Sequence, residues 1–104
     1  MPDWQLPDVR SSAWRSEMYA VAWTPAARRR FARLPETVAV AVLEFVYGPL
    51  VANPQRVGKE LRGELAGVYS ARRGEYRVLY LIDDGRLLIT LVSVDHRRDA
   101  YRPR

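Results

Sequence analysis

At 104 residues the chain is long enough for one domain and too short for two, and a hydrophobic share of 48% argues against general disorder. It has no cysteine and one histidine, His96, which excludes a disulfide framework, a thiolate metal site and a multi-histidine centre. The net charge is +5, and of seventeen basic side chains all but Lys59 are arginine, whose planar fork suits phosphate and acidic partners.

Coding bias also enriches arginine, so position matters more than number. No apolar run approaches the ~20 residues that span a bilayer. The start, Met1-Pro2-Asp3-Trp4, lacks the basic-then-apolar pattern of a signal peptide. The expectation is a cytoplasmic domain without membrane contact or cofactor.

Residues 1–17 contain Pro2, Pro7, Ser11 and Ser12 and show no helix or strand period, which predicts an irregular arm or extension. Trp4 and Trp14 are its large apolar groups. The domain is expected over 18–104. It opens with a strand at 19–23, after which Thr24-Pro25 supplies an N-cap and a first-turn proline for a helix. Ala27, Phe31 and Leu34 share one face of that helix, and Arg28, Arg29, Arg30 and Arg33 fill the rest. A solvated face explains these arginines; contact with RNA or a protein partner is the alternative.

Pro35-Glu36 starts a second helix with Val38, Val42, Phe45 and Val46 on its apolar face. Ala39, Val40 and Ala41 make it apolar nearly all round, predicting a helix clamped between layers. Gly48-Pro49 predicts a kink or break near Tyr47. Residues 55–67 read as a loop in which Lys59 and Arg62 are candidate contacts.

Two strands then turn near Arg73-Gly74, and Asp83-Asp84-Gly85 makes a second hairpin turn. The last strand, 86–94, is apolar on both faces, which predicts a central position. Residues 95–101 read as a turn or short helix. The order is strand, antiparallel helix hairpin, three-strand antiparallel meander. It predicts an α+β domain: one sheet, helices on one face, and the first strand beside the last or at an edge.

The meander mixes apolar residues with fixed positive charge. Alternation sets Tyr76, Val78, Tyr80 and Ile82 on one face and Arg77, Leu79 and Leu81 on the other; Ser70 and Arg72 share a face, opposite Ala71 and Arg73. Arg77, between apolar neighbours, is either a phosphate grip or an ion-pair partner of Glu75, Asp95 or Asp99.

The run Tyr69-Ser70-Ala71-Arg72-Arg73-Gly74-Glu75-Tyr76-Arg77-Val78-Leu79-Tyr80 is preceded by Gly58-Lys59-Glu60-Leu61-Arg62-Gly63. It is followed by Ser93-Val94-Asp95-His96-Arg97-Arg98-Asp99-Ala100-Tyr101. Together these segments resemble the RelE branch of the RelE/ParE toxin superfamily, over 19–101 and in element order.

The resemblance implies a type II toxin–antitoxin toxin acting as a ribosome-dependent, metal-independent messenger-RNA endonuclease. A ribose 2′-hydroxyl attacks the neighbouring phosphate to leave a 2′,3′-cyclic phosphate. It also implies a RelB-like antitoxin, through which the complex reaches operator DNA.

By position, Arg77 matches the arginine that grips the scissile phosphate, Arg97 the arginine that assists the leaving group, and Tyr101 the C-terminal tyrosine that stacks on or deprotonates the nucleotide. Arg72 stands near a position where relatives carry lysine, and an arginine is a poor proton acceptor. Lys59, Arg62, Arg73 and His96 are candidate RNA contacts, with His96 also able to titrate near neutrality. Two alternatives stay open: a ParE-like toxin directed at gyrase, and a catalytically degenerate antitoxin-binding protein. The trio Arg77, Arg97 and Tyr101 favours cleavage, since a gyrase binder has no need of it.

Overall fold

The computed structural model describes residues 18–96. Strand β1 (Ala20–Trp23) leads into helix α1 (Pro25–Ala32) through Thr24, whose Oγ1 accepts the Ala27 N–H at 3.1 Å while Pro25 fills the first turn. Helix α2 (Glu36–Phe45) follows and widens into a π-turn over Val46–Leu50 with Pro49 inside. Helical backbone then continues through Val51 and Ala52. Of the kink or break expected near Tyr47, the helix thus shows a local distortion and no break. A proline crowds the carbonyl one turn back, and the wider turn relieves that crowding without ending the helix.

The stretch expected to be loop carries structure of its own. A short helix α3 (Pro54–Val57), a two-residue strand β2 (Lys59–Glu60) and a 3₁₀ turn (Gly63–Leu65) precede the meander of β3 (Tyr69–Arg73), β4 (Tyr76–Asp83) and β5 (Leu88–His96). The sheet is five-stranded in the order β1-β5-β4-β3-β2. β1 runs parallel to β5, and the remaining neighbours are antiparallel. The first strand is thus both beside the last and at an edge, and β5 holds its predicted central place. β5 also extends past Val94, because Asp95 and His96 pair with Arg77 and Tyr76 of β4; they lie in the strand rather than in the predicted turn.

One face of the sheet carries the core. Val78, Tyr80, Ile89 and Leu91 are fully buried beneath Ala27 of α1 and Val42 of α2, with Val38 and Phe45 closing the cluster. α2 is not clamped on both sides. Val40 and Leu43 are 48% and 39% exposed, because a two-layer domain has nothing to lay over the outer face of its helices.

Two details fix what borders the open face. β1 ends level with Leu91, and α1 takes over alongside the rest of β5: the Thr24 N–H donates to the Leu91 carbonyl at 3.0 Å and its hydroxyl to the Val92 carbonyl at 3.1 Å. The helix covers backbone that a longer β1 would have paired. At the other edge, the Tyr80 hydroxyl donates to the Pro54 carbonyl at 2.7 Å, and its ring stacks on Tyr69 at 5.7 Å. Gly58 lies against that hydroxyl; a Cβ there would collide with it and come within 2.9 Å of the Ser70 carbonyl. A side chain at position 58 therefore pushes β2 off the sheet.

Candidate functional site

The face away from the helices takes its pattern from strand alternation and register. Residues directly opposite one another in an antiparallel pair share a face. Arg72 of β3 stands opposite Arg77 of β4, and Arg77 stands opposite Asp95 of β5. One level along, Lys59, Ser70, Leu79 and Ser93 form a second row across β2 to β5. Val78 and Val94, the neighbours of Arg77 and Asp95 in sequence, are buried in the core, so these rows lie on the open face.

Two arginines placed directly opposite each other repel and destabilise the pair of strands that carries them. A carboxylate from a third strand would normally offset this. Asp95 is in register to do so, but its Oδ1 instead accepts from Arg30 Nη1 of α1 at 2.8 Å and from Ser93 Oγ at 3.1 Å. Among the described residues Arg77 has no ion-pair partner within 4.0 Å. Neither Glu75 nor Asp95 holds it, and Asp99 lies outside the described residues. Arg72 and Arg77 thus present two guanidinium groups on an open sheet, an arrangement suited to an oxyanion held between two forks.

The other candidates separate from this pair. Arg73 is on the helix side: its guanidinium sits 4.6 Å from the centre of the Phe45 ring and donates to the Arg72 carbonyl at 2.9 Å. That is a packing role over the core rim. His96 stands opposite Tyr76, hence also on the helix side, with Nε2 3.5 Å from Glu75 Oε1. Its side chain is only 13% exposed.

Lys59 is exposed on β2, in the second row. Arg62 is exposed beside the 3₁₀ turn, where Glu60, Leu61, Gly63 and Ala66 join it around a shallow hollow. Glu60 Oε2 steadies this loop by accepting the Gly67 N–H at 3.1 Å. Arg97 and Tyr101 lie outside the described residues, so their distance from Arg77 is not part of this geometry.

Buried phenols border the site without entering it. Burial, with a smaller contribution from Tyr69, pushes the Tyr80 hydroxyl up to about 12. Burial also raises Tyr76, whose hydroxyl reaches the Ala41 carbonyl at 3.3 Å. Both stay protonated at neutral pH and serve as hydrogen-bond donors. Sequence reasoning missed the bond from Arg30 to Asp95, which spans 65 positions. Only the placement of α1 beside β5 creates it, and no local pattern signals that.

Comparison with known proteins gives the family. Residues 21–101 match the model for the ParE toxin of type II toxin–antitoxin systems, parDE. The chain is 51% identical over 84 residues to Toxin RelE of Mycobacterium tuberculosis, covering 81% of this chain and 87% of that protein. It is 52% identical over 84 residues to Toxin RelG of the same organism, covering 81% and 97%.

Among solved structures, the toxin–antitoxin complex RelBE2 from M. tuberculosis contains a chain with 51% identity and a TM-score of 0.75, covering 77% of this chain and 99% of that one. The isolated Escherichia coli RelE toxin, at 20% identity, shares the fold with a TM-score of 0.62 over 75% and 83% of the two chains. The matched span takes in all of the described sheet but its first residue, including Arg72, Arg77 and Asp95, and the chain therefore belongs to the ParE toxin family of type II toxin–antitoxin systems, as a RelE-like member.

Proposed function

We propose that this protein is a messenger-RNA endonuclease that acts on the ribosome and is neutralised by a RelB-like antitoxin. The observation that carries the reading is the pair Arg72 and Arg77, opposite each other on the open face, with Arg77 unpaired among the described residues. Transfer of a 2′-oxygen to the adjacent phosphorus concentrates negative charge on the non-bridging oxygens. Fixed guanidinium groups stabilise that charge without needing to reorganise.

In this mechanism the 2′-hydroxyl loses its proton, its oxygen bonds to phosphorus, and the bond to the 5′-oxygen breaks. The leaving oxygen is protonated, and a 2′,3′-cyclic phosphate remains. Arg77 and Arg72 hold the phosphate. Arg97 assists the leaving group, and Tyr101 stacks on the nucleotide or takes up the 2′-hydroxyl proton, as the family resemblance implies. Arg72 stays charged throughout and cannot accept the proton. Lys59, next to Ser70 at the sheet edge, extends the positive surface along the RNA.

The solved RelBE2 complex, a toxin–antitoxin assembly, supports a RelB-like partner for this chain; contact with operator DNA through that partner is what the family resemblance implies. The ParE description of the matching family model favours a second reading, a gyrase-directed toxin.

One experiment separates the two. Protein is incubated with programmed ribosomes while messenger-RNA 5′ ends are mapped, and gyrase supercoiling is run in parallel. Cleavage without gyrase inhibition is expected, with loss of at least about a hundredfold in rate for Arg77→Ala, a typical cost for one oxyanion-stabilising donor. Tyr101→Phe is expected to fall likewise. Gyrase inhibition that survives Arg77→Ala, without cleavage, overturns the nuclease reading.

A further inference from the structure

Arg77 has a carboxylate directly opposite it and does not use it. Asp95 is its partner in register across β4 and β5. Side chains so placed are close enough to pair. Yet Asp95 is held from the far side by Arg30, at 2.8 Å, and by Ser93, at 3.1 Å, both through Oδ1. Arg30 is the last-turn arginine of α1 that faces this strand. From these contacts we infer that Arg30 is a positioning residue: it holds Asp95 away from Arg77, leaving the Arg77 guanidinium without a carboxylate partner among the described residues.

Two guanidinium groups compete for one carboxylate, and α1 decides the competition. Without Arg30, Asp95 swings to its cross-strand neighbour. The destabilising opposition of Arg72 and Arg77 is then relieved, and the site loses one of its two forks. The carboxylate is 20% exposed and the arginine 47%, so the competition takes place in water-screened surroundings and its effect is modest. The consequence for RNA rests on the phosphate-holding role proposed above; the competition itself does not.

The test has one readout on each side of that dependence. The first is the side-chain Nε–Hε resonance of Arg77 in the free protein. Arg30→Ala is expected to shift it and slow its exchange with solvent, and Arg30→Ala with Asp95→Asn to return it. The second is affinity for a short single-stranded RNA carrying 2′-O-methyl riboses, which cannot cleave itself. Arg30→Ala is expected to bind about threefold to fivefold more weakly, the scale of an exposed ion pair.

Adding Asp95→Asn is expected to restore that affinity, although Arg30 is still missing. Arg30→Ala with Glu64→Gln has the same net charge but is expected to give no rescue, since Glu64 is exposed on the 3₁₀ turn. Arg30→Lys, which keeps the charge, is expected to stay near the parent protein in both measurements. An Arg77 resonance indifferent to Arg30→Ala overturns the inference, as does equal rescue by the Glu64 and Asp95 substitutions. A shifted resonance with unchanged RNA affinity upholds the competition and removes the phosphate-holding role of Arg77.

Discussion

Tyr80 shows how one hydroxyl can tie an edge strand to a core. It is fully buried, donates to the Pro54 carbonyl at 2.7 Å, and is the surface on which Gly58 rests. Its pKa is pushed up to about 12 from 10.0, first by burial and then by Tyr69. The native state keeps this proton between pH 10 and 12 while the unfolded chain gives it up, so stability is intact below pH 10 and falls as pH rises through that window. Tyr80→Phe removes the donor and leaves the carbonyl unsatisfied, at a cost of about 1–2 kcal/mol near neutrality. Denaturant midpoints measured from pH 8 to 12 are expected to show the parent falling toward the variant above pH 10; parallel curves over the whole range would mean that the phenol is not the group being read.

Helix α2 shows where element-level reading succeeds and where it stops. Its buried positions, Val38, Val42 and Phe45, follow the helical period and were legible as the apolar face. The other face was not: Val40 and Leu43 are as apolar as the core residues but are exposed, because periodicity reports hydrophobicity and not what lies opposite. The two faces are expected to respond differently. Val42→Ala empties a fully buried site and costs about 2 kcal/mol, whereas Val40→Lys changes stability by less than about 0.5 kcal/mol. Urea unfolding of the two variants checks this, and a large loss for Val40→Lys would mean the outer face is covered in the free protein.

The site itself depends on a register that one residue decides. Centring the turn on Arg73-Gly74 would pair Arg72 with Glu75 and Ser70 with Arg77, a neutralised and unremarkable hairpin. The turn instead falls on Gly74-Glu75, with Gly74 at a φ of 55° taking the first central position, and Arg72 comes opposite Arg77. The turn expected near Arg73-Gly74 lies one residue further on, so the arginines were legible as a basic strand pair and their apposition was not.

At the scale of the whole molecule, a net charge of +5 spread over so many arginines has two explanations: a composition effect distributed everywhere, or a directed surface. The fold separates them, because the sheet sorts consecutive arginines onto opposite faces. Arg72 belongs to the open face with Arg77, and Arg73, the very next residue, caps the Phe45 ring on the helix side. Composition cannot distinguish these neighbours, but their contributions to RNA binding differ.

Each arginine that neutralises a phosphate releases a counterion, and for a single strand the slope of log affinity against log salt changes by roughly 0.7 per contact. Arg72→Ala and Arg77→Ala are each expected to flatten the slope for single-stranded RNA by about that amount. Arg73→Ala is expected to leave the slope unchanged and to lower stability by about 0.5–1 kcal/mol through the lost ring contact. Fluorescence anisotropy titrations at a series of salt concentrations, with unfolding midpoints for the same three variants, give both numbers. If all three flatten the slope equally, the positive charge acts as a diffuse cloud and the open face has no special claim on the phosphate. If Arg72 and Arg77 alone do so, one face of the sheet is the RNA surface.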